Sequence, residues 1–141
     1  MLRALHPRPV RYFPSVGSTN DEALAWLAES APEGAVVIAD EQTKGRGRLG
    51  RVWYAPPGAA LLFTVILRPS ERVLSRMTML GGLAVCETAQ QMGLAAGIKW
   101  ANDVQVNERK LSGVPLSLME RQSVERRDLG HGCQRQRRFQ R

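Results

Sequence analysis

The sequence predicts an α+β fold. Two apolar, β-branched runs, at 35–40 and 60–69, read as strands; two stretches with helical apolar spacing, at 19–31 and 72–92, read as helices. A third observation is the segment 97–118, which breaks into short strands separated by polar turns. At 141 residues and 43% hydrophobic content the chain has room for one domain with a core that needs no staples.

The elements follow in order. Residues 9–16, PVRYFPSV, form a short strand interrupted by Pro14. In STNDEALAWLAESAPEG, Thr19 as N-cap and Glu22 three residues on make a capping box, with acids in the first turn where the helix dipole favours them. Ala23, Leu24, Trp26 and Leu27 give the apolar stripe, and Pro32–Gly34 stops the helix near residue 31. AVVIAD at 35–40 is a buried strand, and ALLFTVILRP at 60–69 is continuous enough to suggest burial on both faces. The helix at 72–92 carries Met77, Leu80, Leu83, Ala84 and Met92 at helical spacing and ends at Gly93; these residues and Trp26 read as core rather than site. Between 97 and 118 the turns fall at Asn102-Asp103 and Asn107-Glu108.

From about Glu120 the pattern collapses. ERQSVERRDLGHGCQRQRRFQR has few large apolar residues and no period, which predicts a basic, disordered tail at 120–141 beside a domain at 1–119. A basic RNA-binding tail is the competing reading of the same residues. The abrupt change suggests truncation or a change of reading frame. The net charge of +7 divides accordingly: residues 1–119 hold 13 Lys/Arg against 10 Asp/Glu, and 120–141 hold 7 Arg against 3 acids. The body is only mildly basic, which weakens a whole-protein argument for nucleic-acid binding.

No stretch approaches the ~18 apolar residues of a membrane span, and MLRALHPRPVRYF has no apolar core of an export signal. Cys86 and Cys133 sit far apart and form no metal-like pair, so reduced thiols in a cytoplasm are expected and a zinc site is not. His6 and His131 have no partner pattern.

Residues 44–58, KGRGRLGRVWYAPPG, set the functional question. GRGRLG satisfies the dinucleotide string G-x-G-x-x-G, but Val52, Trp53, Tyr54 and Pro56-Pro57-Gly58 follow where a helix must open. No Gly-Lys-Ser/Thr closes a P-loop either. NAD is therefore not expected. What remains is a flexible loop that puts guanidiniums beside accessible backbone N–H groups, a chemistry suited to phosphate and carboxylate oxygens. Trp53 or Tyr54 could stack on a base. An Arg/Gly-rich solvated loop or an RNA-binding segment is the alternative at this point.

Three stretches, STND at 18–21, EQTKGRGRLGRVW at 41–53 and KWANDVQVNERKLSG at 99–113, resemble in order and spacing the motifs of biotin protein ligases, also called biotin–[acetyl-CoA-carboxylase] ligases. The likeness covers about residues 12–114. It implies a catalytic domain of the class II aminoacyl-tRNA synthetase and biotin ligase type, here incomplete, with a mostly antiparallel mixed sheet carrying helices on one side. It also implies an ATP-dependent enzyme that activates biotin as biotinyl-5′-adenylate and transfers it to a lysine of a biotin carboxyl carrier protein. Magnesium accompanies the ATP, its place near Asp103.

The resemblance assigns residues position by position. Ser18, Thr19, Asn20 and Gln42 would line the biotin head group, where hydroxyl and amide groups suit a ureido ring. Because one Thr can hardly cap a helix and bind a ligand with the same lone pair, Ser18 and Thr19 are expected to divide those tasks. Gly45, Arg46, Gly47 and Arg48 would cover biotin and the adenylate, with Arg46 holding the biotin carboxylate and the α-phosphate together. Arg51 and Trp53 would meet the ATP phosphates and the adenine side, and Arg48 and Lys99 the nucleotide. Asn102 and Asp103 would position metal or phosphate, with Asp103 also receiving the acceptor lysine's proton; Lys110 would contact the adenylate oxygens and biotin, and Gly113 would approach biotin. Arg46, Lys110 and Asp103 are the expected catalytic residues.

Two departures stand out. Ala101 replaces the usual proline of KWPND, and after Gly113 the chain reads VPLSLMERQ in place of the family's further strands and C-terminal barrel. Full turnover by this chain is therefore in question. No helix-turn-helix precedes the domain, so DNA binding is not expected, and the resemblance leaves room for a homodimer. Lipoate ligase, which shares the ancestral fold, is the other enzyme reading, and a basic nucleic-acid-binding module the non-enzymatic one. Biotin against lipoate binding separates the first pair, and deletion of 120–141 tests the last.

Overall fold

The computed structural model describes residues 8–47 and 51–118. Arg48, both histidines, Cys133 and the basic segment 120–141 lie outside the described residues. The elements are β1 (Val10–Phe13), α1 (Thr19–Ala28), β2 (Val36–Ala39), β3 (Leu62–Val65), α2 (Glu71–Leu74), α3 (Met77–Gln91), β4 (Ala96–Lys99), β5 (Asp103–Val106) and β6 (Arg109–Gly113).

The α+β class holds, with the strands divided between two three-stranded sheets, β1-β2-β3 and β4-β5-β6. β1 runs parallel to β2, and the other pairings are antiparallel. In the first sheet the rows Val10–Val36–Val65 and Tyr12–Ile38–Phe63 stand in register. α1 covers the opposite face, and Ala23, Trp26, Ala31, Ala35, Val37 and Ile66 form a core with Phe13 and Leu27 packed against it. The Arg11 guanidinium lies 4.2 Å over the Trp26 ring and bonds Glu29, lidding that core with its own counter-ion. α1 ends at Ala28, three residues before the expected stop, because Ser30 turns left-handed (φ 67°) and Gly34 repeats the turn (φ 77°) ahead of β2.

Two expectations about burial need correction. The 60–69 run is not buried on both faces: Leu62 and Ile66 are inside, while Leu61, Phe63, Val65 and Leu67 are exposed. α1 covers one face only, so an apolar run without alternation in its sequence still alternates in its environment. The long second helix is also divided, into α2 and α3, and the stripe expected inside faces out. Gly82, Cys86 and Ala89 are the buried residues of α3, whereas Leu80, Leu83, Ala84 and Met92 are exposed. Small side chains let α3 approach β4 and β5 closely; a Cβ built on Gly82 would stand 3.7 Å from the Asn102 backbone. Cys86, Ala89, Ala96 and Val104 make this second core, flanked by Val85 and Val106.

The hairpin of the second sheet turns where the sequence places it. Asn107 and Glu108 adopt φ of 49° and 63°, the left-handed pair that a two-residue hairpin loop requires. The other turn, Trp100–Asn102, joins β4 to β5, and the Trp100–Ala101 peptide is cis.

Candidate active site

The β1–β2 ladder continues past its strands. Thr43 N–H donates to the Val16 carbonyl (2.8 Å) and Lys44 N–H to that of Gly17 (2.7 Å), which lays residues 41–44 beside the entry to α1. Gln42 is thereby set against the helix N-terminus, and its Oε1 accepts from both the Thr19 N–H (2.8 Å) and the Thr19 hydroxyl (2.9 Å). Thr19 is the first helical residue rather than the cap. Ser18 takes the cap position, yet its hydroxyl bonds none of the helix amides. The amide side chain of Gln42 meets one orphan donor in its place. The expected division of labour between Ser18 and Thr19 thus becomes a sharing between Thr19 and Gln42, with Ser18 and Thr19 both buried.

β3 contributes a residue that the motif reading passes over. The Thr64 hydroxyl lies 3.0 Å from Thr19 Oγ1 and 2.8 Å from Asn20 Oδ1. Its single proton can serve one of those acceptors at a time. Asn20, Thr19, Thr64 and Gln42 form one half-buried cluster of donors and acceptors at the head of α1. The signal for Thr64 is a lone hydroxyl in the otherwise apolar run LLFTVIL.

The glycine and arginine run is a hairpin on the described residues flanking 48–50. Arg46 bridges Val52, Gly47 N–H donates to the Arg51 carbonyl (2.7 Å) and Trp53 N–H to that of Gly45 (2.9 Å). The arms of this loop are paired, not free. Arg46 reaches α1 and grips Asp21 through both guanidinium nitrogens, Nη1 to Oδ2 at 2.9 Å and Nη2 to Oδ1. The hydrogen bond from Arg46 holds the Asp21 carboxyl below its ordinary range; burial opposes it, and the positive charges of Arg46 and Lys44 add to the lowering. Asp21 closes the STND stretch, yet the motif reading gives its carboxylate no role at the site beyond that of a first-turn acid.

On the second sheet, Asp103 opens β5 and stands opposite Gly113, while Lys110 pairs with Gln105. Lys110 reaches diagonally to Asp103, Nζ to Oδ2 at 2.9 Å. A Cβ on Gly113 would stand 3.0 Å from Lys110 Nζ and 3.2 Å from Asp103 Oδ1, so this glycine lies directly beside the pair. The Lys110 ammonium also lies 5.6 Å from the Trp53 ring centroid. Asn102 is buried, its side-chain amide donating to the Val114 carbonyl (3.1 Å) and its own carbonyl accepting from Val114 N–H (3.1 Å). Lys99 is exposed at the end of β4, opposite Asp103 in register, and Arg51 is exposed on the hairpin. Among the described residues no group of three or more His, Cys, Asp or Glu could hold a metal ion, and no helix is long and apolar enough to cross a membrane.

Each of the three separated stretches therefore touches the next: Thr19 with Gln42, Asp21 with Arg46, Trp53 with Lys110. Known proteins resemble this chain in sequence and in fold. The chain is 36% identical over 119 residues to the bifunctional ligase/repressor BirA of Bacillus subtilis, covering 82% of this chain and 36% of that protein. It is 36% identical over 106 residues to the biotin–[acetyl-CoA-carboxylase] ligase of Mycobacterium tuberculosis, with 70% and 40% covered. The fold matches the biotin protein ligase of Aquifex aeolicus solved with biotin and ATP, at a TM-score of 0.67 and 35% identity over 79% of this chain and 47% of that one. The Leishmania major ligase solved with biotinyl-5-AMP gives 0.64 and 29%, covering 76% and 51%. The chain thus spans between about a third and a half of these relatives. The description "Biotin/lipoate A/B protein ligase family" matches residues 12–132, well over half of the chain, and on that match the chain belongs to the biotin/lipoate A/B protein ligase family.

Proposed function

We propose that this chain binds biotin and ATP and joins them as biotinyl-5′-adenylate in the cytoplasm, for transfer to a lysine of a biotin carboxyl carrier protein. The observation that carries the reading is the joining of the three motif stretches by direct side-chain contacts, in a chain whose relatives are named biotin ligases.

In this reading the Thr19, Asn20, Gln42 and Thr64 cluster receives the ureido ring, whose N–H groups and carbonyl match its mixture of acceptors and donors. A biotin carboxylate oxygen attacks the α-phosphorus of ATP, and the bond to pyrophosphate breaks. Both reactants are anionic, so a guanidinium placed between them lowers the barrier most where their charges meet; Arg46 has the reach and the fork for this. Lys110 stabilises charge on the α-phosphate oxygens, and Trp53 offers a ring face to the adenine. In the second step the acceptor lysine nitrogen attacks the acyl carbon, AMP departs, and Asp103 takes the proton. A magnesium ion brought as the ATP complex would keep most of its waters and need only one or two protein carboxylates; Asp103 would be the residue to hold it, and the ion would supply charge neutralisation at the phosphates.

The test is pyrophosphate release by the full chain with biotin, or with lipoate in its place. Biotin-dependent release is expected, and Arg46→Ala and Lys110→Ala should each lower it by about 10²–10³, the usual loss for one charge-stabilising donor. Unchanged release in either variant removes that residue from the mechanism. Release with lipoate alone overturns the biotin reading. Biotin binding without release would assign recognition to this chain and the chemistry to segments its longer relatives possess.

A further inference from the structure

Arg46 is asked to hold two ligand anions, yet within the chain its guanidinium already holds one. The contact with Asp21 is bidentate, the same fork geometry that a carboxylate or phosphate ligand would use. Asp21 lies in the first turn of α1, beside Asn20 and two residues from Thr19, so the carboxylate sits at the rim of the ureido-binding cluster. The side chains are 60% and 48% exposed, which leaves the pair open to water and to exchange with another anion. The pair also ties the 45–47 arm of the hairpin to the helix.

We propose that Asp21 is a positioning residue that acts as an internal stand-in anion, aiming Arg46 at the site and yielding it when a biotin carboxylate or α-phosphate arrives. This rests on the ligase reading above. Two effects follow from one contact: Asp21 orders the hairpin arm, and it competes with the ligand for the guanidinium. An uncharged isostere removes the charge that competes for the guanidinium but keeps an amide oxygen within its reach. The arm therefore loosens only in part, and the freeing of Arg46 dominates ligand affinity. A residue with a merely structural role would lower ligand affinity when replaced, not raise it.

The experiment compares wild type, Asp21→Asn and Asp21→Glu by calorimetric titration with biotin and ATP. Asp21→Asn should bind about two- to fivefold more tightly, the scale of one exposed ion pair, while Asp21→Glu stays near wild type. In an Arg46→Ala background the Asp21→Asn gain should vanish, since the two residues act through each other. Affinity equal to or below wild type in folded Asp21→Asn protein overturns the proposal. A second measurement needs no ligand: the Gly47 and Trp53 amides should exchange with solvent faster in Asp21→Asn than in wild type. Equal rates overturn the proposal as well. If neither biotin nor ATP binds any of these proteins, the ligase reading fails, and the exchange rates alone decide whether Asp21 holds Arg46.

Discussion

A Cβ on Gly45 would stand 2.4 Å from the Trp53 carbonyl oxygen, a backbone atom of the opposing arm that cannot swing away. Gly47 leaves more room, its Cβ meeting the Arg51 carbonyl oxygen at 3.3 Å. Gly45→Ala should therefore push the two arms apart and cost about 1–3 kcal/mol, as overpacking does. A lowered urea midpoint with faster exchange at the Trp53 amide is the expected result, and a wild-type midpoint would show that the hairpin tolerates the methyl group. The sequence makes this run visible as glycine between arginines, and its prolines exclude the helix of a dinucleotide site. It does not reveal that Gly45 pairs with Trp53, because alternating glycine and arginine reads equally well as an unpaired, solvated loop. Asp21 and Thr64 escape for a related reason. Each is ordinary for its element, an acid in a first helical turn and a hydroxyl in a strand, and becomes a site residue only through a neighbour 25 or 45 positions away.

At the scale of elements, existence and type were legible, and which face turned inward was not. Apolar spacing locates α1 and α3, and the Asn107-Glu108 turn locates the β5–β6 hairpin. The inward face of α3 is chosen instead by close approach, through Gly82, Cys86 and Ala89, a criterion that hydrophobic periodicity ranks last. Asn102 belongs to the same packing. Its resemblance-based role is at the nucleotide, but its amide bonds the Val114 carbonyl and its backbone lies against Gly82, so it braces β5 and β6 against α3. Replacing a buried amide leaves that carbonyl with one partner fewer, and Asn102→Ala should cost about 1–3 kcal/mol. Thermal unfolding read at the second sheet checks this. Full stability with lost ATP binding would instead place the side chain at the ligand.

Across the whole molecule, two separate cores sit under sheets that are each covered on one side, and large apolar side chains remain in water. Val10, Tyr12, Phe63 and Val65 share the uncovered face of the first sheet, aligned by the register that places Tyr12, Ile38 and Phe63 in one row. Leu80 and Leu83 face outward from α3. Single exposed apolar residues are common on protein surfaces, but a contiguous row across three strands is a sticky patch. Its attraction to another apolar surface is non-directional and grows when sulfate is excluded from the protein surface. The folded chain should therefore enhance the fluorescence of an anilinonaphthalene sulfonate dye in native buffer. It should also associate with itself more strongly as concentration or sulfate rises, as followed by light scattering on a sizing column. Phe63→Lys places a charge at the centre of the row and should reduce both effects without disturbing the α1 core, since Phe63 points away from Val37 and Trp26. A chain that stays monomeric and dye-silent at every concentration would show that this row does not act as a sticky patch.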